Sequence, residues 1–194
     1  MDAALDCLAE LGYAGTTTTV VAERAGVSRG AQLHHFPTRS SLVASAIAHL
    51  FAEMTDAYQA AFSKLDSSGT ERLPAALDLL WSMFTHPRYP AITELHTAAR
   101  TDPELHAELL PVAERHRANV HRLAAEYFPE AARDRARFDA TLAMLLDTMH
   151  GMVVSVQAFG DGADMKSERQ IFAETALMLI AGLEGRNANS KEGL

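Results

Sequence analysis

The chain has 194 residues, a net charge of −8 and one cysteine, Cys7. A chain of this length can bury a core without disulfides, and a single cysteine excludes an intrachain disulfide, as is common in reducing compartments. Hydrophobic residues make up 48% and charged residues 22%, which excludes wholesale disorder. The longest uncharged apolar stretch, 148–160, is too short for a membrane span, and residues 1–12 lack the basic residues of a signal peptide. We expect a soluble, cytoplasmic protein with no membrane partner.

Apolar residues recur at spacings of three and four along the chain, which predicts an all-α fold. Gly12 and Gly26 are expected to end the first and second helices, and Ser28 to cap the third. Thr16 or Thr17 is expected to cap the second. Proline, glycine and polar clusters place the remaining boundaries, so that helices are predicted at 1–11, 18–25, 28–36, 38–65, 71–86, 89–101, 103–128, 131–160 and 167–185. The clearest predicted loop is 66–70.

The second and third predicted helices, with a glycine turn between them, have the proportions of a helix-turn-helix. Gly26 permits the tight turn, and Val27 is expected to be buried at it. No acidic residue lies between Arg24 and Arg39, so a local DNA-reading face is compatible with a negative net charge. The outer face of the third helix is expected to present side chains suited to base edges in the major groove, namely Arg29, Gln32, His34 and His35.

Three short motifs occur in register near the start of the chain: G-Y-x-x-T-T at 12–17, A-G-V-S at 25–28 and H-F-x-x-[KR]-x-x-L at 35–42. With them, residues 1–46 resemble the TetR/AcrR family of one-component transcriptional regulators. The resemblance implies a three-helix DNA-binding domain at 1–46, a helical ligand-binding and dimerisation domain at 47–185, and leaves 186–194 as a flexible tail. It also implies that Thr17 and Arg39 bind DNA phosphates. The complete expected DNA-binding set is Thr17, Ser28, Arg29, Gln32, His34, His35 and Arg39.

The sequence departs from the family pattern at three places. Leu33 stands where the family usually has tyrosine, which removes an expected phosphate contact. Ser40 and Ser41 follow Arg39 where acids are common, so we expect the usual capping box to be absent. The basic arm that often precedes the first helix has no counterpart here. Either the true start lies upstream, or this member relies less on arm contacts.

The segment 131–160 carries apolar residues at alternating spacings of four and three, the pattern of a helix packed along a seam. Two such helices from each subunit could form a four-helix dimer interface, as the family arrangement implies. The alternative is that the seam belongs to the core of one chain. We favour the dimer, with interface residues Phe138, Leu142, Leu145, Met149, Met152, Val156, Phe159 and Ile180.

Bulky apolar residues and a few polar groups are mixed in the middle of the chain, as in ligand pockets. The family resemblance implies that an unidentified small-molecule effector binds here. The expected ligand-binding residues are Trp81, Phe84, His96, Asn119, Met144, Asp147, Thr148 and Gly151.

Metal binding and catalysis have little support. The nine histidines contain no H-x-x-x-H pair and no cysteine cluster joins them, so we expect no metal and no cofactor. No nucleophile–base order or phosphate loop is present, so we expect no enzyme. The sequence therefore predicts a homodimeric, ligand-responsive regulator, and more specifically a repressor released from a palindromic operator on double-stranded DNA. The alternative is a helical interaction or metal-binding protein with a degenerate helix-turn-helix.

Overall fold

The computed structural model describes residues 1–64, 72–159 and 165–192, with side chains as far as residue 185. This part of the chain is helical and contains no strand, which confirms the all-α expectation. The helices are α1 (Asp2–Gly15), α2 (Thr18–Ala25), α3 (Arg29–His35), α4 (Arg39–Phe62), α5 (Arg72–Phe84), α6 (Tyr89–Ala99), α7 (Pro103–Tyr127), a short 3-10 helix (Ala131–Arg133), α8 (Arg135–Phe159) and α9 (Lys166–Glu192).

Most predicted helix boundaries agree with these bounds to within a few residues. Two expectations are wrong. The predicted helix at 131–160 is divided, because a 3-10 turn precedes α8. The last helix continues to Glu192 instead of ending at residue 185. The predicted loop at 66–70 lies outside the described residues, and the flexibility of the tail stays a prediction.

The chain forms two compact units. Unit 1 consists of Met1–Gln59 and Thr85–Arg117, and unit 2 consists of Ala60–Phe84 and Ala118–Leu194. The helices α4 and α7 contribute residues to both. This division describes packing, whereas the functional boundary that we expect at residue 46 stays a prediction.

Unit 1 is built around the packing of α1 on α6. Leu5 and Leu8 of α1 are buried with Ile92 and Leu95 of α6 and with apolar residues of α4. At the end of α1, Gly12 leaves the helical conformation with φ 67° and ψ 179°. Side chains with a Cβ rarely adopt this region, because the Cβ crowds the backbone. The prediction that Gly12 stops the first helix is therefore confirmed, although the helical hydrogen bonds resume and continue to Gly15.

A half-buried histidine lies between α4 and α7 in unit 1. The ring of His116 stacks on that of Phe51, with ring centroids 3.8 Å apart and an interplanar angle of 5°. Desolvation lowers the pKa of His116 to about 4, so its imidazole is neutral at pH 7 and can stack on Phe51 as an uncharged ring.

Unit 2 has its core where α5, α8 and α9 meet. Leu77, Leu145 and Ala176 form one buried cluster. Phe138 and Ile180 belong to a second cluster, which includes the 3-10 turn. These contacts bury one face of α8 and one face of α9.

Replacing Gly12 by alanine tests the backbone break in α1. We expect Gly12→Ala to lower the free energy of unfolding by about 1–3 kcal/mol, because alanine is strained at this φ and ψ. Its Cβ would also lie 3.0 Å from Glu94 Oε1. Urea denaturation followed by circular dichroism measures the change. Gly30→Ala is the matched control, since Gly30 lies in α3 with nothing within 4 Å of an added Cβ. Equal stability of the two variants would contradict the prediction.

Candidate nucleic-acid interface

The turn between α2 and α3 is fixed by local hydrogen bonds. Thr17 Oγ1 accepts from the Val20 N–H at 3.2 Å and so caps α2. Ser28 Oγ accepts from the Ala31 N–H at 3.2 Å and caps α3. Between the helices, Gly26 adopts the left-handed conformation, with φ 66° and ψ 26°. The predicted helix-turn-helix and its caps are therefore confirmed.

The structure places six of the seven residues of α3 at the surface and one inside. Arg29, His34 and His35 are exposed, as expected, and Arg29 makes no ion pair among the described residues. Gln32 is the buried residue: it is 6% exposed, and its Oε1 has no hydrogen-bond partner in the part of the chain that the structure describes. The expectation that Gln32 lies on the outer face is wrong, because its position on α3 points toward the packed side of the helix.

The expected burial of Val27 is also wrong, since this residue is 49% exposed. Gly26 makes the turn so tight that the next residue leaves it on the outside. Leu33 is 41% exposed on α3. The surface around α3 is thus more apolar than the sequence motif alone suggested.

The first turn of α4 has a reciprocal cap. Thr38 Oγ1 accepts from the Ser41 N–H at 3.0 Å, and Ser41 Oγ accepts from the Thr38 N–H at 3.2 Å. This is the geometry of a capping box with serine in the place of glutamate. The expected absence of a capping box is therefore wrong: a serine hydroxyl is long enough to complete it.

Arg39 is held by the turn that ends α1. Its Nη2 donates to the carbonyl oxygen of Tyr13, and its Cζ lies 3.7 Å from the centroid of the Tyr13 ring. Such contacts combine a charge-assisted hydrogen bond with a cation–π interaction. The residue expected to bind a phosphate thus also fixes the start of α4 against α1.

Tyr13 continues this contact to α6 and α7. Its backbone N–H donates to Glu94 Oε1 at 2.8 Å, and its hydroxyl donates to Asp102 Oδ2 at 2.8 Å. Burial, followed by the hydrogen bond to Asp102, raises the pKa of Tyr13. The Leu105 N–H and the Tyr13 hydroxyl lower the pKa of Asp102. We call Tyr13, Arg39, Glu94 and Asp102 the Tyr13 cluster. Sequence reasoning missed it, because 81 and 89 residues separate Tyr13 from its two carboxylates.

Three potential metal ligands also meet in unit 1. One ligand atom from each of Asp2, His49 and Glu53 lies within 4.8 Å of the others. Arg88 already supplies a positive charge there: its Nη1 is 2.8 Å from Asp2 Oδ1 and 4.0 Å from Glu53 Oε2. It also pairs with Asp6 at 3.0 Å. The arrangement is an ion-pair network that joins α1 and α4 to the start of α6.

The expected dimer residues are divided between core and surface in unit 2. Phe138, Leu145, Met149 and Ile180 are buried within the single chain, so the expectation that they form the dimer interface is wrong. The alternative interpretation of the seam holds for them, because Phe138, Leu145 and Ile180 lie in the two core clusters of unit 2 and Met149 is buried as well. Among the other expected interface residues, Leu142, Met152 and Val156 are half-buried. Phe159 is 79% exposed.

Two of the expected effector residues line cavities, one in each unit. Trp81 lines an open cavity of about 270 Å³ in unit 2, and His96 lines a void of about 10 Å³ in unit 1. Phe84 is half-buried and Asn119 is exposed. The remaining four are exposed and follow one another at helical spacing along one face of α8, namely Met144, Asp147, Thr148 and Gly151.

The cavity beside Trp81 lies among α5, α8 and α9. Its walls are mostly apolar, and Arg169 lies at its edge, with Cζ 4.6 Å from the centroid of the Trp81 ring. The Nη2 atom of Arg169 lies 3.6 Å from Asp78 Oδ1. The lining residues are Leu77, Asp78, Trp81, Met149, Lys166, Arg169, Gln170, Phe172 and Ala173.

By length and composition alone, α8 could cross a membrane. Four of its residues, Phe138, Leu145, Met149 and Val153, are nevertheless buried in the chain. The core helix of a soluble protein has these same properties, so α8 is weak evidence for a membrane span.

Residues 1–46 match the sequence profile of TetR_N, described as bacterial regulatory proteins of the tetR family. The HTH-type transcriptional regulator CymR of Pseudomonas putida is 30% identical over 152 residues, which cover 78% of this chain and 74% of CymR. The chain belongs to the TetR family. A further HTH-type transcriptional regulator, from Mycobacterium tuberculosis, is 28% identical over 159 residues, covering 79% of this chain and 78% of the relative.

Solved structures share the fold of this TetR-family chain. A transcriptional regulator from Rhodococcus sp. Rha1 has a TM-score of 0.67 and 22% identity, covering 94% of this chain and 92% of the other. The multidrug binding protein EbrR, solved with imidazole, has a TM-score of 0.62 and 24% identity, covering 92% and 90%. The TetR family consists of soluble DNA-binding transcriptional regulators, and the chain is accordingly a regulator and not an enzyme.

Replacing Gln32 or Arg29 by methionine, in separate variants, tests the buried and the exposed side of α3. We expect Gln32→Met to raise the free energy of unfolding by about 1 kcal/mol, because it removes a buried carbonyl that lacks a partner among the described residues. The preference for DNA sequence should not change. Arg29→Met should leave stability unchanged and weaken DNA binding. Urea denaturation and competition binding with mutated operators measure both effects. A loss of preference at one operator position in Gln32→Met would contradict the prediction.

Proposed function

We propose that this TetR-family regulator is a cytoplasmic homodimeric repressor, released from a palindromic operator by a small molecule. The observation that carries the proposal is the exposed face of α3, which is set by two capped helices and carries an exposed arginine. A helix presented in this way fits the major groove, and a two-fold dimer places two such helices on two half-sites. Regulators of this family bind operators, typically as dimers with small-molecule effectors.

The proposed DNA contacts are those expected residues that the structure leaves accessible. Arg29 reads a base edge, and His34 and His35 lie on the same helix. Thr17 and Ser28 are exposed where α2 and α3 begin, and each can contact a backbone phosphate. We exclude Gln32 because it is buried.

Arg39 remains a proposed phosphate contact despite its bonds to Tyr13. A guanidinium has five N–H groups; the hydrogen bond to the Tyr13 carbonyl uses one on Nη2, and Nε is buried, which leaves the other Nη N–H groups for a phosphate. An approaching phosphate would therefore meet unused donors on a side chain that the Tyr13 ring already orients. This orientation lowers the entropy that the contact loses when DNA binds.

The homodimer is supported by an apolar surface on α8 and α9 that is left exposed. Met144, Phe159, Ile171 and Met178 are all exposed there. Large contiguous apolar patches on a protein surface mark interaction sites. On α8, Gly151 has nothing within 4 Å of an added Cβ, so a partner helix could approach its backbone closely. We therefore place the interface on these outer faces and not on the buried seam.

The effector site that we propose is the cavity beside Trp81. Its volume, about 270 Å³, lies just below the range of about 300–1,000 Å³ that is typical of small-molecule sites. A compound that binds there acts on DNA affinity only if it prefers one conformation of the dimer over another. In the proposed mechanism, the helix α4 moves the two reading helices out of register with the half-sites.

Selection of bound DNA from a random pool tests operator recognition. We expect a palindromic product with two equal half-sites, because a two-fold dimer presents two copies of α3. Affinity for this product should fall steeply as salt rises, with a slope of about −0.9 for each phosphate neutralised. Arg39→Ala should reduce the slope and weaken binding to all sequences. Failure to enrich any sequence would reject the proposal and favour an interaction protein with a degenerate helix-turn-helix.

The fluorescence of Trp81 tests the effector site, because this residue is the one tryptophan of the chain. We expect compounds from a library of small aromatic molecules that shift its emission to weaken operator binding as well. Operator DNA should weaken their binding by the same factor. Ala173→Leu, which narrows the cavity, should lose the response and keep operator binding. Saturation of the cavity with no change in operator affinity would reject the cavity as the effector site.

A further inference from the structure

An apolar side chain stands on the face of α3 that is proposed to enter the major groove. Leu33 is 41% exposed, although leucines are usually buried. It lies one helical turn after Arg29, and residues four apart share a face of a helix. Gly30, between them on the exposed side, has nothing within 4 Å of an added Cβ. DNA could therefore approach the backbone of α3 closely enough for Leu33 to reach a base.

The chemistry of the groove restricts what Leu33 can contact. The edges of the four base pairs present hydrogen-bond donors and acceptors, together with one apolar group, the C5 methyl of thymine. A leucine cannot hydrogen-bond to a donor or acceptor on a base edge. It would remove that polar group from water without replacing the lost hydrogen bond, which costs free energy. The thymine methyl is the one group on the base edges of the major groove against which an apolar side chain packs favourably.

Leu33 is the one large apolar side chain on the exposed side of α3, since the exposed Ala31 reaches only as far as its Cβ. Gln32 is the only amide of α3, and its burial removes it from reading adenine. Arg29, His34 and His35 bring polar hydrogen-bonding groups. An A·T pair in the half-site would thus be recognised through its thymine methyl and not through adenine.

We propose that Leu33 is a specificity-determining residue that selects thymine by packing against its C5 methyl group. One helical turn measures about 5.4 Å along the axis, and base pairs are about 3.4 Å apart. The selected thymine therefore lies about one or two base pairs from the base read by Arg29. This proposal rests on the proposed function, because it assumes that α3 enters the groove.

Single replacements of thymine by deoxyuridine test the proposal, since they remove the methyl group and keep every hydrogen-bonding atom. They are made in the operator obtained by selection, at one position at a time in both half-sites, and affinity is measured at fixed salt. At one position, we expect wild-type affinity to fall by about fourfold for each methyl removed. At that same position, Leu33→Ala should bind both DNAs equally.

Three further variants separate methyl packing from other roles of Leu33. Leu33→Met should keep the sensitivity to deoxyuridine, because methionine is apolar and reaches as far. Leu33→Tyr restores the residue usual in the family and should lose the sensitivity. Leu110→Ala is the matched control: Leu110 of α7 is 46% exposed in the same unit, and its replacement should leave the sensitivity unchanged. Circular dichroism confirms that each variant keeps its helices.

The outcomes distinguish this proposal from the proposed function. If selection yields an operator but deoxyuridine affects the wild type and Leu33→Ala alike at every thymine, the role of Leu33 is rejected and the repressor proposal stands. The same conclusion follows if the selected half-sites contain no thymine within two base pairs of the base read by Arg29. If no operator is obtained, the proposed function fails first.

Discussion

The contacts of α1 with α4, α6 and α7 depend on one backbone break. Gly12 takes a conformation that only glycine adopts at low cost, and the chain then turns so that Tyr13 faces three other helices at once. Its amide bonds to Glu94, its hydroxyl to Asp102, and its ring and carbonyl hold Arg39. With a helical residue in place of Gly12, Tyr13 could not make these contacts. The Tyr13 cluster thus connects α1 to α4, α6 and α7.

The sequence predicted local structure well because local signals have local causes. Thr17, Ser28 and Gly26 each satisfy backbone groups within three or four residues, so spacing alone located them. The same reasoning failed at Gln32 and Val27, because the burial of a side chain depends on what packs against it and not on the local turn or cap. It also failed at Ser41, where the rule for capping boxes names longer side chains than this cap needs. The partners of Tyr13 could not be predicted from the sequence, since no short-range pattern joins residues that far apart along the chain.

The seam of α8 shows a different limit. Apolar residues at spacings of four and three indicate that one face of a helix is covered. They do not indicate whether its own chain or a second copy covers that face. Phe138 and Met149 are covered by their own chain. The outer face of α8 includes Thr148 and Gly151, which do not stand out in a hydrophobic pattern. Residues that we assigned to the effector from the sequence therefore lie where a partner helix could pack.

The uncharged cap of α4 has an electrostatic consequence. The first turns of α2, α3 and α4 contain no acid, so the partial positive charge of each helix start is not cancelled. Residues 17–41 hold three arginines and one acid in a chain whose net charge is −8. Arg24 is paired with Glu10, so Arg29, Arg39 and the three helix starts supply the positive potential of this segment. A polyanion is attracted to them locally, in a chain whose net charge repels it.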